Sequence, residues 1–492
     1  MTSKDNKKTI LKGEEAIALW ESGHVKWNEW VEENPEANID FSKCDFSKYE
    51  KVSFSDFVFP KGNVNFNYTK FGNAIVVFCR TKFGYGDVSF HDTDFGEEGV
   101  NFSEAIFGNG NVYFDYAHFR NGYVDFSYTK FGKGKVMFNY AVFSFGSVSF
   151  HKAQFDEADF TSTQFGFGDV SFLSAVFKGD ALFIRTMFGE GGVTFTGVKS
   201  KGNMFFNETD FGICKVSFRA AKLAGYLTFQ SLKNTEETGG FDFSFSNFEG
   251  AIKLKDIKFY CVPDFTNTNL SHQFTLDHFE ITPVKKIGSN LLTNLFILFF
   301  LLLEGDRRKE IAINKSKKIA SKFTWFNIYY IADKDDIPRI RRLKELAESN
   351  KHHKLALDLH AEEIKCSRWV ETKSKRTIFA EYLFQLCSDF GRSLQRPIVG
   401  LISSWLLFTL VYYQASNRDY EWLDKISDSA AFSFAQMLPV FSISREAKKR
   451  TLESLFNIDM PNWIIGVAGV QSFISIALVF LVGLALRNRF RI

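Results

Sequence analysis

The sequence predicts a right-handed, four-sided β-helix joined to an α-helical membrane module, on three observations. A phenylalanine recurs every 12 residues from Phe66 to Phe150, and a second follows five residues after each: Phe66/Phe71, Phe78/Phe83, Phe90/Phe95 and so on to Phe150/Phe155. Each Phe has a companion two residues earlier. It is a valine before the first of the pair (Val64, Val76, Val88, Val100) and a small residue before the second (Thr69, Thr81, Thr93, Ala105). Finally, two long uncharged apolar stretches, 397–414 and 463–486, lie near the end of the 492-residue chain.

The repeat comes first because a fixed period means one structural unit stacked many times. Residues i and i−2 point to the same side of a strand, so each short face turns one large and one smaller side chain inward. Asn65, Asn67, Lys70, His91 and Asp94 should face water. Glycines such as Gly72, Gly84, Gly86, Gly132 and Gly134 separate the pairs, and are expected to turn the chain. One 12-residue unit cannot enclose a core, so two units should form one coil, with four Phe per layer. The pattern loosens after Phe155 and ends around Phe265–Phe279. About ten coils at ~4.8 Å each give a rod on the order of 50 Å, whose open ends need covering. Residues 1–38 are expected to supply an N-terminal capping helix. Ala16, Ile17, Leu19, Trp20, Trp27, Trp30 and Val31 recur at helical spacing, and the break comes at Asn34-Pro35. The β-helix then occupies 39–282.

Residues 283–396 form a helical connector. It holds a short apolar segment, 291–303, which at about 13 residues is short for a span and reads as an interfacial or buried helix, a third crossing being the alternative. Basic residues between Arg307 and Lys322 suit anionic lipid heads. Helical spacing runs from Pro338 to Glu371. His352, His353, His360, Glu362, Glu363 and Cys366 gather there without a metal-ligand spacing. Phe379–Leu386 reads as an amphipathic helix entering the first span.

The last module, 397–492, carries the two spans. Arg392 and Arg396 precede the first, Arg487, Arg489 and Arg491 follow the second, and Trp463 marks an interface. Both flanks being basic, both ends should be cytoplasmic, with 417–462 outside. Within that loop, 428–439 has the length and apolarity of a re-entrant helix, tolerated only where it is buried or lines a cavity. The candidate pore-lining set is Ser433, Gln436, Pro439, Gln471 and Ser475, with Gln471 and Ser475 one turn apart on one face. The bland alternative is helix–helix hydrogen bonding.

Quoted motifs carry a resemblance. Phe41-Ser-Lys-Cys-Asp-Phe46, Ala105-Ile-Phe107, Ala153-Gln-Phe155, Ala158-Asp-Phe160 and Ala175-Val-Phe177 resemble the A(D/N)LXX or A(D/N)FXX repeat of the pentapeptide-repeat family. The glycine-spaced, Phe-rich form and the segments 388–397 and 484–492 resemble a membrane-associated branch of it. The resemblance covers about half the chain. It implies the β-helix and says little about activity, since members include DNA mimics, targeting modules and scaffolds. Span, short helix and span also resemble two-span channels of the potassium type, but no TVGYG-like filter follows Pro439.

A net charge of +3 and a repeat of mixed sign exclude neither membrane nor protein partners, and argue against a nucleic-acid role or DNA mimicry. The six cysteines are scattered, without a CxxC, which speaks against a disulfide framework or metal cluster. Met1–Lys12 lacks the apolar core of a signal peptide, so the repeat is expected to be cytoplasmic, in a bacterial inner-membrane, multi-pass protein. No nucleophile–base set, phosphate loop or cofactor motif appears. Expected partners are the bilayer, further copies of the chain, and an unknown protein or ligand on the rod. The expected function is a sensing or interaction rod coupled to a channel-like or pore-forming module. A membrane-disrupting effector is a variant of this reading, and a non-conducting tethered scaffold is its alternative.

Overall fold

A computed structural model describes residues 9–271, 274–281, 284–287, 328–331, 335–368, 370–372, 374–416, 421–437, 442–456 and 461–490. The expected segment 291–303 and the basic run 307–322 lie outside these residues. The chain divides into two compact units, 1–285 with 331–350, and 286–330 with 351–492.

The first unit is a parallel β-solenoid of about ten coils with regular Phe spacing, consistent with a pentapeptide-repeat fold. Short strands stack into four sheets, one per face. Val64 pairs with Val88, Val88 with Val112, and Val112 with Val136, so one coil consumes two 12-residue units. Backbone bonds join each coil to the next: Phe66, Phe90 and Phe114 N–H donate to the carbonyls of Ser89, Tyr113 and Met137, each at 2.7 Å. Past Phe155 the register persists (Val136 on Ala158, Ala158 on Ala181) although most coils shorten to 22 or 23 residues and one, from Leu227 to Ile252, lengthens to 25. The loosening seen in the sequence is thus residues dropped or added between faces, while the faces themselves continue.

The core is phenylalanine. The first Phe of each pair forms two columns whose rings lie flat on the ring one coil away: Phe66 on Phe90 at 4.9 Å and Phe78 on Phe102 at 4.7 Å between centroids. The two columns meet edge to face, Phe66 to Phe78 at 87° and Phe78 to Phe90 at 81°, the favoured aromatic geometries. The second Phe of each pair forms two outer columns, such as Phe95–Phe119–Phe143. The small residue beside it is fully buried. Where it is threonine, the hydroxyl donates to a Phe carbonyl of the adjacent coil, as Thr93 Oγ1 does to Phe66 O at 2.7 Å.

Glycine makes some of the tight turns, as at Gly72 (φ 62°), where Ala74 N–H donates to Phe71 O, but most are made without it. They fall inside each Phe pair, where Thr69, Thr81 and Thr93 N–H donate to Phe66, Phe78 and Phe90 O. The third residue of each turn has positive φ: Tyr68 (60°), Arg80 (58°), Asp92 (53°). That is a type II turn built without glycine. Elsewhere glycine serves a different need. A Cβ on Gly108 would lie 1.8 Å from Gly84 O, and one on Gly132 would lie 1.7 Å from Gly108 O. Coil backbones approach so closely at these corners that no side chain fits between them.

At the N-terminal end the expected single helix is two, α1 (Gly13–Glu21) and α2 (His24–Glu33), parted at Gly23 with φ 89°. Trp20 and Trp27 Nε1 donate to Ser53 O and Val58 O, and Trp27 stacks on Phe41. At the other end α3 (Asp336–Ser349), expected in the connector, packs on the last coils. Arg339 bridges to Asp264 at 3.2 Å, Arg342 donates to Thr268 O, and Asn350 Oδ1 accepts from Phe274 N. Pro338 sits in its first turn, where its missing N–H costs no helical bond.

The second unit contains α4 (His353–Ser367), α5 (Lys375–Ser388), α6 (Gln395–Ala415), α7 (Trp422–Met437), α8 (Ser442–Phe456) and α9 (Asn462–Arg489). Helices α6 and α9 are long and apolar enough to cross a bilayer.

Candidate functional site

Helix α6 turns Val399, Ile402, Leu406 and Leu410 outward, and α9 turns out Ile465, Phe473, Ile476 and Phe480. The opposite faces hold the polar side chains. Gly400 lets α9 approach, since a Cβ there would lie 3.2 Å from Leu478 Cδ2. Near the other end of α6, Tyr412 Oη donates to Gln471 Oε1 at 2.8 Å. These two contacts set α6 and α9 antiparallel.

Between them lies a helical hairpin, α7 and α8. Trp405, midway along α6, donates from Nε1 to Ala430 O and accepts at its carbonyl from Ser433 Oγ, both at 3.0 Å. Gln471 Nε2 donates to Ser433 Oγ at 2.8 Å and to Ser433 O at 3.0 Å. Ser472 Oγ donates to Gln436 O at 3.0 Å. The inner end of α7 therefore stands level with the middles of both long helices. Helix α8 returns along α7. Lys448 Nζ donates to Gln436 Oε1 at 3.3 Å, Ser454 bonds Asp428, and Leu455 O accepts from Ser416 Oγ beyond the end of α6. Tyr412, Phe432, Leu455, Phe456, Ile464 and Ala468 form the apolar core of this bundle.

Of the expected pore residues, Ser433, Gln436, Gln471 and Ser475 come together, all buried within one copy of the chain. Pro439 lies outside the described residues. The amide of Gln471 is spent on Tyr412 and Ser433. By contrast, Ser404 Oγ, Gln436 Nε2 and Ser475 Oγ are buried without a hydrogen-bond partner among the described residues. Of the interface set, Trp463, Arg487 and Arg489 are exposed at the ends of α9, and Arg491 lies outside the described residues. Arg392 pairs with Asp358 and Asp389 at 3.2 and 3.1 Å, and Arg396 donates to Gln385 O at 2.8 Å. Tyr412, near the end of α6, is wholly buried.

Two features escaped the sequence reading. Ser404 reads as one more small residue in an apolar span. Helix α8 hid behind its charges, although three of its buried residues, Ser444, Thr451 and Leu455, recur at helical spacing.

The solenoid offers a second surface. A groove of about 780 Å³ runs over several coils, lined by Glu104, Tyr128, Lys130, Lys152, Gln154 and Lys199 among others. Lys152 Nζ lies 5.0 Å from the Tyr128 ring centroid, a cation–π contact. Burial pushes the Cys214 and Cys261 thiols up to about 11, so both are poor nucleophiles near neutrality. Among the described residues no group of three or more His, Cys, Asp or Glu could hold a metal ion. Comparisons with protein-family models, with curated proteins and with solved structures returned no match.

Proposed function

We propose that this chain is a non-enzymatic bacterial inner-membrane protein, in which a cytoplasmic, right-handed solenoid acts as a sensing or interaction rod for a channel-like module. The N-terminal helices α1 and α2 cap the rod's first coil. Helices α6 and α9 cross the bilayer, and copies of the chain assemble around an axis. The observation that carries this reading is the α7–α8 hairpin, tied through Ser433 to Trp405 and Gln471 at the middle of both apolar helices. Polar side chains at such a depth are tolerated only within protein or beside water, as in pore modules. Helix α5 supports the same picture, since Phe379, Leu383 and Leu386 form an exposed apolar stripe suited to the membrane surface.

The experiment is ion flux through the full chain reconstituted in liposomes, with its oligomeric state measured in detergent. Flux from an oligomer is expected. A monomer without flux would leave the alternative, a membrane-tethered scaffold. That alternative draws on the engagement of Gln471 and Ser433 within one copy, which is helix–helix bonding rather than pore lining. Reporters at Asn234 and Lys425 should report opposite sides of the membrane, and the same side would refute the two-span topology.

A further inference from the structure

Helix α8 is amphipathic in an unexpected place. Its inner half lies beside the inner end of α7, which the Ser472–Gln436 and Trp405–Ser433 bonds set level with the middles of α6 and α9. At about 1.5 Å per residue, α8 is roughly 22 Å long, enough to run from that level to the outer end of α6, where Ser416 bonds Leu455 O. Its buried face is Ser444, Thr451, Leu455 and Phe456. Over residues 444–456 its exposed side chains are all charged: Arg445, Glu446, Lys448, Lys449, Arg450 and Glu453. Charges at such depth do not face lipid; they face water or a partner.

A second observation points to water. Ser404, Gln436 and Ser475 are each more than nine-tenths buried, and each keeps a side-chain polar atom without a partner among the described residues. Ser404 adjoins Trp405, Gln436 is the penultimate residue of α7, and Ser475 lies one turn from Ser472. All three thus surround the hairpin's inner end. The Gly400–Leu478 and Tyr412–Gln471 contacts bracket Ser404 and Ser475 on facing helices. Polar atoms stranded at one level inside an apolar bundle are what water reaching the inner end of α7 would satisfy.

We infer that the charged face of α8 lines a water-filled lumen enclosed by copies of this chain, and that its basic excess makes that lumen select small inorganic anions. Four cations stand against two carboxylates on each α8, and a ring of copies multiplies the difference in a confined, low-dielectric space. The inference rests on the channel reading above and deepens it by naming the lining helix and the ion class. The lining differs from the set Ser433 and Gln471, whose polar groups are engaged within one copy.

The test uses the full chain in liposomes under a potassium chloride gradient, with the reversal potential giving the chloride-to-potassium permeability ratio. A ratio above about 5 is expected, falling to about 1 or below in Lys449→Glu/Arg450→Glu, as rings of like charge dictate. Lys133→Glu, on the solenoid, should leave the ratio unchanged. A wild-type ratio near or below 1, or a ratio unmoved by the double reversal, overturns the selectivity while the channel stands. Absence of any flux overturns both together. Independently, Lys449→Cys should react with a membrane-impermeant maleimide in sealed proteoliposomes, above the background of the parent chain. No added labelling would place this face against lipid or protein and overturn the lumen whatever the flux.

Discussion

Single residues in the rod are chosen by what the neighbouring coil leaves free. Gly108 is glycine because Gly84 O occupies the place of a Cβ, whereas a Cβ on Gly192 would meet only the Asp169 carboxylate, at 3.3 Å. Gly108→Ala should therefore cost about 2–3 kcal/mol or more, and Gly192→Ala within about 0.5 kcal/mol. Amide hydrogen exchange over residues 84–134, against the same measurement at 169–216, would separate them. Asp115 shows an electrostatic version of the same constraint. Burial raises its pKa, only partly offset by the hydrogen bond from Asn139 N–H. A folded-state pKa above the unfolded value of about 3.9 means that this group's contribution is present in acid and lost as pH rises through the folded pKa. Asp115→Asn should raise the urea midpoint of the β-sheet dichroism signal at pH 7 and leave it unchanged at pH 3. The left-handed corners were not legible at this scale. Tyr68, Arg80, Asp92 and Glu104 share a φ near +55° and no side-chain chemistry, because ladder bonds impose the turn and ordinary residues tolerate it.

Among the elements, strands were easier to read than the hairpin. The Val-x-Phe and Thr/Ala-x-Phe faces repeat, so each strand is announced many times. Helices α7 and α8 occur once, and the charges of α8 read as loop. Gln471 is where this element is secured, joining Tyr412 on α6 to Ser433 on α7. Gln471→Leu should strand the Tyr412 hydroxyl and cost about 1–3 kcal/mol, lowering the thermal midpoint in detergent. Gln471→Glu is expected to do worse by burying a charge. At the other end of the chain, Trp27→Ala removes a fully buried side chain and its bond to Val58 O, at about 3–5 kcal/mol. Faster exchange should then be confined to the first coils, between 38 and 66.

At the scale of the whole molecule, the solenoid is quasi-one-dimensional, each coil touching only its neighbours. Deleting residues 88–111 should therefore yield a folded rod one coil shorter, with Val112 taking the place of Val88 opposite Val64. Deleting only residues 88–93 offers no such register and should abolish folding. Circular dichroism and the radius of gyration from solution scattering would distinguish the two. The surface of such a rod is a free choice at every outward position. The basic, Tyr-bearing groove over Tyr128 and Lys152 belongs to that variable surface, which a repeat pattern leaves open.

By itself the amino-acid sequence determined the four-sided solenoid, its two-unit coil, its phenylalanine core and the two long apolar helices. Each follows from periodicity or from an unbroken apolar run, signals that survive without knowledge of neighbours. Only the tertiary structure decided why the glycines are there, that the N-terminal helix is broken at Gly23, and that Gln471 bonds within its own bundle. It alone set α8 along α7, whose inner end lies level with the middles of α6 and α9. These depend on which backbone or side chain comes within hydrogen-bonding distance from a remote part of the chain, and no local pattern records that distance.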